Sequence, residues 1–218
     1  MTRSYLGYVS SQTTDFIPLM TYGVATGGSS SSITVSGVNY TLLTFTSSNT
    51  LTVTKAGLFD VMVVGGGASG GLRTGTNTGS GGGGGGAVMQ QTIYLSANAT
   101  VTVGAKGAAQ TGANSEGNSG TYSAVNELTA GGGAGGGAGT SVLVRNAGSG
   151  GGNIATVGEG FPVCTAAIPL NANSGGSGGT ISVNLAGGGG GGSTQAGQNN
   201  NVNVGGAGAD GVVYVRFR

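Results

Sequence analysis

Histidine and tryptophan are absent, cysteine occurs once and proline three times. Charged residues make up 6% of the chain, against about 25% in an ordinary soluble domain. Each shortage excludes a chemistry. Without histidine there is no Ser-His-Asp triad, no imidazole base and no imidazole metal ligand. A lone Cys164 forms neither an internal disulfide nor a thiolate cluster. It reads as a small core filler and leaves the redox compartment open. Seven basic residues against six acidic ones leave a net charge of +1, too weak and scattered for a nucleic-acid footprint. No apolar run of about 18 residues occurs, so no membrane-inserted helix is expected. The opening MTRSYLGYVS has no apolar leader segment.

What abounds is glycine: 52 of 218 residues, where the average is about 7%. With Ser, Thr and Asn it makes up more than half of the chain. Disorder usually goes with low hydrophobicity or high net charge, and this chain has neither. Its apolar residues, 37% of the total, gather into short runs rich in Val, Ile, Thr, Tyr and Phe, as strands favour. The runs are 36–45, 51–54, 58–64, 87–95, 100–103, 141–145, 180–184 and 211–218. Leu58–Val64 is almost continuously apolar, which predicts a strand buried on both faces. Glycine interrupts every window long enough for an ordinary helix, at roughly 0.5–1 kcal/mol per interior residue against Ala. Only 121–130, TYSAVNELTA, leaves room for one or two helical turns. The fold class is all-β.

The glycine tracts lie between the strands rather than at the ends, and six consecutive glycines occur twice, at 81–86 and 187–192. Structureless loops of that number argue against themselves in a compact domain. Two readings remain. The tracts are mobile loops, or they are polyproline II helices, with three residues per turn and no internal hydrogen bonds. Such helices must satisfy one another's backbone, and glycine permits the close approach. The second reading is preferred. The collagen period is missing, which excludes a triple helix.

Most motifs fail on context. Val63-Val64-Gly65-Gly66-Gly67-Ala68-Ser69-Gly70 matches a dinucleotide fingerprint and follows a strand. The fingerprint needs a helix next, and an acid about 20 residues on; neither is there. Gly104-Ala-Lys106 lacks the spacing of a phosphate loop. Asn39 and Asn98 head formal glycosylation sites and read as strand and turn residues. Six carboxylates are too few and too scattered for a glycosidase pair. Asp60, inside an apolar strand, calls for a partner such as Lys55 or an arginine. No catalytic residue, cofactor or metal is expected, and the protein is not expected to be an enzyme.

Three segments read as exposed tips: Arg73–Ser80, Ala108–Tyr122 and Ser193–Val204. Their amides and hydroxyls suit recognition of a polar surface or a glycan. The candidate contact residues are Arg73, Asn77, Asn114, Asn118, Tyr122, Gln195, Gln198, Asn199, Asn200 and Asn201. Solvated loops are the plain alternative. Tyr5, Tyr8, Phe16 and Tyr22 cluster near the start, either as a first strand on the core or as a docking arm. Residues 1–35 are accordingly read as an arm and 36–218 as the glycine-rich domain.

The run from Ala56 onward contains "AGLFDVMVVGGGASGG", "GSGGGGGGAVMQQTIYLSANATVTVGAKG", "LAGGGGGG" and "GADGVVYVRFR", in that order. It resembles glycine-rich proteins of tailed bacteriophages, tail fibre adhesins and minor tail proteins. A similar alternation occurs in the glycine-rich extracellular region of anaplastic lymphoma kinase. The resemblance implies a jelly-roll-like, tumour necrosis factor-like β-sandwich with inserted polyglycine polyproline II helices. It further implies a virion tail protein, assembled in the host cytoplasm, that recognises a bacterial surface glycan or protein through its tips. The implied partners are other phage tail proteins and further copies of the chain, a trimer by the habit of similar proteins. A structural virion subunit without receptor binding is the alternative. No single site residue carries over, because the match lies in the scaffold.

Overall fold

The computed structural model describes residues 21–72, 83–112, 114–137 and 206–218. Over these residues the chain is all-β, with ten strands in two five-stranded antiparallel sheets. They are β1 (Val24–Thr26), β2 (Ser29–Val35), β3 (Val38–Phe45), β4 (Asn49–Lys55), β5 (Gly57–Val64), β6 (Val88–Leu95), β7 (Ala99–Thr102), β8 (Ser123–Val125), β9 (Leu128–Ala130) and β10 (Val212–Phe217). One sheet has the order β1-β4-β7-β8-β9, the other β2-β3-β10-β5-β6.

The period of two along each strand builds the core. Phe59, Val61 and Val63 of β5 face inward with Leu43, Phe45, Val213, Val215 and Phe217. They meet Leu51, Ala99, Val101 and Val125 of the opposite sheet in one cluster. The alternate residues of the second sheet, Leu42, Met62, Val64, Val88, Val212 and Tyr214, are also buried and form a second cluster. The apolar run Leu58–Val64 is thus buried on both faces, as its composition predicts.

Two local expectations are corrected. The 121–130 stretch holds no helical turn; it is the β8–β9 hairpin, with Val125 paired to Leu128 across Asn126-Glu127. Asn126 takes a φ of 49°, a conformation Asn tolerates better than most residues, and its side-chain Oδ1 accepts the Thr100 N–H at 3.1 Å. Residues 24–35, assigned from the sequence to the arm, lie in the two sheets as β1 and β2. The serine run 29–32 disguises β2 because its side chains are exposed; it is an edge strand, held by main-chain pairing to β3. The turn between them uses Ser36 and Gly37 at φ 48° and 79°, the two positive values that a tight hairpin requires.

The glycine tracts form the third part of the molecule. Residues 65–72 leave β5 and are all buried. Their amides serve three neighbours in strict rotation. Gly65 and Ala68 donate to Ala87 and Gly84. Gly66, Ser69 and Leu72 donate to Thr121, Asn118 and Ser115. Gly67 and Gly70 donate to Ala209 and Gly206. The same rotation governs what the tract accepts: Gly133 and Gly136 donate to the carbonyls of Gly66 and Ser69, and Gly107 donates to that of Gly67. Donor indices rise as acceptor indices fall for 83–87, 115–121 and 206–211, so these run antiparallel to the central tract. Tract 131–137 runs parallel to it.

Glycine is needed here for closeness rather than for φ. Among the described glycines only Gly27, Gly28 and Gly37 have positive φ, and all three lie outside the tracts. A Cβ on Gly66 would land inside 3 Å of the Ala105 carbonyl, and one on Gly120 inside 3 Å of the Gly66 carbonyl. Gly131 and Gly137, on the outside, would meet nothing within 4 Å.

Candidate functional site

The tracts have a near end, at the strands, and a far end. Gly66 pairs with Thr121 at the near end, next to β5 and β8. Leu72 and Ser115 exchange both backbone hydrogen bonds at the far end, at 2.9 and 3.0 Å. Gly70 meets Gly206 nearby at 2.9 Å, and a Cβ on Gly71 would touch the Gly137 carbonyl at 2.6 Å. The described ends flanking 73–82, the residues around 110–114, and the start of the tract that follows 205 therefore share one end of the molecule. That end is opposite the strands.

The far end is the candidate site. Asn114 is exposed there, at a φ of 57°. Asn118 is exposed too; its Nδ2 donates to the Ala108 carbonyl at 2.9 Å, and its backbone N–H donates to the buried Ser69 Oγ at 2.7 Å. Gln110 Nε2 reaches the Glu116 carbonyl, closing the loop on itself. The expected tip Ala108–Tyr122 is thus divided. Its first half is surface, whereas Gly117–Thr121 is packed against the central tract, because Gly117 and Gly120 have no room for a side chain. Tyr122 is 54% exposed but sits at the near end, immediately before β8, apart from Asn114. Arg73, Asn77, Gln195, Gln198, Asn199, Asn200 and Asn201 lie outside the described residues.

Tyr22, the described member of the aromatic cluster, packs within its own chain. Its N-terminal neighbour Thr21 accepts the Leu58 N–H, and Gly23 donates to the Leu58 carbonyl, each at 3.0 Å. The Tyr22 hydroxyl donates to Asp60 Oδ2 at 3.0 Å, and its ring meets Tyr40 edge-on at 6.0 Å. Burial, then the hydrogen bond and charge of Asp60, raise the Tyr22 phenol above its ordinary pKa. Arg216 lies over the Tyr40 ring at 4.8 Å and Arg218 over the Tyr22 ring at 5.1 Å. Tyr5, Tyr8 and Phe16 lie outside the described residues.

A feature with no signal in the sequence is a groove of about 550 Å³ between β6 and the β8–β9 hairpin, lined by Gln91, Ile93, Leu95, Asn126 and Glu127 among others. It joins the edge strands of the two sheets, and neither strand's sequence reveals that the two edges meet. Among the described residues no group of three or more His, Cys, Asp or Glu is placed to hold a metal. The far end offers amides, hydroxyls and main-chain groups, which recognise by hydrogen bonding.

Residues 44–199 match the model of a family described as a glycine-rich domain. No curated protein matches the chain.

Proposed function

The chain belongs to the glycine-rich domain family, and from that premise we propose that it is a non-catalytic adhesin of a phage tail. Its glycine tracts are polyproline II helices, and the two sheets form a jelly-roll-like sandwich on which they are mounted. Loops at the far end contact a bacterial surface glycan or protein. The protein resides in the virion tail, assembled in the host cytoplasm, docks to other tail proteins through its N-terminal residues, and associates as a homotrimer.

One observation carries this reading. Leu72 before the first expected tip, Gly206 after the third and the loop around Ser115 within the second lie together at the end of the tracts opposite the strands. The rotation of hydrogen bonds through three neighbours is what a helix of three residues per turn provides. The resemblance to glycine-rich tail proteins supplies the virion setting.

The test is binding of the purified, fluorescently labelled protein to a panel of bacteria. Saturable binding to some strains, changed by exchanging 73–80, 109–116 or 193–204 without loss of folding, is the expected result. A folded protein that binds no strain overturns the adhesin reading and leaves a structural virion subunit. Sedimentation at micromolar concentration reads the trimer; a single-chain mass overturns it.

A further inference from the structure

The outward positions of the two sheets differ in kind. Those of the β2-β3-β10-β5-β6 sheet include Leu42, Met62, Val212 and Tyr214, which are buried. Those of the β1-β4-β7-β8-β9 sheet are mostly threonines. Ala25, Leu51, Ala99, Val101 and Val125 turn into the core, so the period of two turns the residues between them outward. These include Thr26 of β1, Thr50 and Thr52 of β4, Thr100 and Thr102 of β7, and Thr129 of β9. All but the half-buried Thr102 are exposed.

Strand pairing sets these threonines in register. Thr26 stands opposite Thr52, and Thr50 opposite Thr100. Thr102 and Thr129 stand on either side of Ala124. Neighbours are about 4.8 Å apart across strands and about 6.5–7 Å apart along one strand. Asn98 and Asn126 stand beside the array. The Asn98 Oδ1 accepts the Val53 N–H at 3.0 Å, and the Asn126 Oδ1 accepts the Thr100 N–H at 3.1 Å. Each amide thus has its oxygen committed to main chain and presents its Nδ2 donors on an exposed residue.

The chemistry of the face defines its ligand. The outward positions of these five strands carry no charge, so a phosphate finds no cation there and a cation no carboxylate. They carry no aromatic side chain and no arginine, the residues that anchor protein interfaces. Each threonine sets a methyl beside a hydroxyl, which suits a partner that alternates C–H and O–H groups. β-Branching keeps χ1 stiff, so little rotamer freedom is lost on contact. A sheet twists by about 20–25° per strand, which fits a flexible chain rather than a flat crystal.

We infer that this threonine face binds a neutral polysaccharide chain, with sugar hydroxyls on Thr26, Thr50, Thr52 and Thr100 and the amide donors of Asn98 and Asn126 at the margins. The site lies on the strands, apart from the far end. It goes beyond the far-end reading, and the experiment separates the two.

The purified protein is applied to an array of isolated bacterial surface polysaccharides, neutral, anionic and cationic. Saturable binding to at least one neutral polymer is expected, unchanged between about 0.1 and 1 M salt because no ion pair takes part. The triple variant Thr50→Val, Thr52→Val, Thr100→Val removes three hydroxyls and keeps the β-branched shape. It should keep the parental Tm and weaken binding by about tenfold or more. Exchange of 109–116 should leave this binding intact. A folded protein that binds no neutral polymer, or a triple variant that binds as the parent does, overturns the inference. If exchange of 109–116 abolishes binding while the triple variant keeps it, the glycan site is the far end; the threonine face is then wrong and the adhesin reading stands. If the triple variant instead lowers the sedimenting mass, the face joins copies of the chain and the inference is equally wrong.

Discussion

Arg216 holds Asp60 through two donors on one oxygen: Nε at 3.1 Å and Nη2 at 2.8 Å, both to Oδ2. The two residues are directly paired across β10 and β5, and both side chains are nearly buried, at 12% and 10% exposure. Thr92 Oγ1 donates to the other oxygen at 2.7 Å. The carboxylate thus ties β5 to both of its partner strands and to Tyr22.

Removing either member takes the ion-pair partner from a nearly buried charge. Asp60→Ala should cost about 3–5 kcal/mol, and Arg216→Met a comparable amount. The double variant should lose less than the sum of the two. Urea unfolding of the three variants reads this coupling; strict additivity would contradict it.

The tracts predict a comb of tolerance. Gly66→Ala and Gly120→Ala place a Cβ against main chain that cannot yield locally. Each should cost at least about 3 kcal/mol or prevent folding. Gly131→Ala and Gly137→Ala meet open space and should stay within about 0.5 kcal/mol of the parent. Denaturation midpoints separate the two sets.

Ser123 is fully buried, at 0% exposure, and fastens the sheets to the tracts. Its Oγ donates to the Val64 carbonyl at 2.7 Å and accepts the Gly104 N–H at 2.8 Å. Ser123→Ala should cost about 1–3 kcal/mol by stranding both groups. It should also speed amide exchange at Gly104 more than in the middle of β10.

Tyr22 gives the chain a pH dependence on the alkaline side. Its pKa is raised in the folded state by burial and by Asp60, so above about pH 10 the unfolded chain loses the proton first. Stability should then fall as pH rises from there through the folded value. Tyr40 raises the pKa and Arg216 lowers it, and the Arg218 guanidinium also faces the ring, at 5.1 Å. Tyr22→Phe should flatten that decline in midpoint between pH 9 and 11, at a cost of about 1 kcal/mol near neutrality for the lost hydrogen bond.

Much of this architecture is readable from residue pattern. The strands 58–64, 87–95 and 211–218 stand out because alternation and β-branching persist through them. The Ser29–Val35 strand does not, since an exposed edge needs no apolar alternation. The β8–β9 hairpin escapes because its turn depends on Asn126 adopting positive φ. Asp60 demands a cation, yet only the pairing of β5 with β10 selects Arg216 over Lys55. The far-end surface is half readable: Asn114 and Asn118 belong to it by composition, while Tyr122 is separated from them by a packed tract. Which tract meets which is silent in the sequence, because glycine has no side chain to state a preference. The flanking strands set that register.

The central tract also bears on how the protein responds to temperature. It and its neighbours remove peptide groups from water in place of hydrocarbon. Exposing polar surface on unfolding lowers the heat capacity, at about −0.26 cal/K/mol/Å², whereas apolar surface raises it. Calorimetry should therefore give a ΔCp below the usual 12–15 cal/mol/K per residue. The stability curve that follows is broad and shallow, losing little on cooling: a scaffold suited to holding its shape across a wide span of temperatures with a thin apolar core.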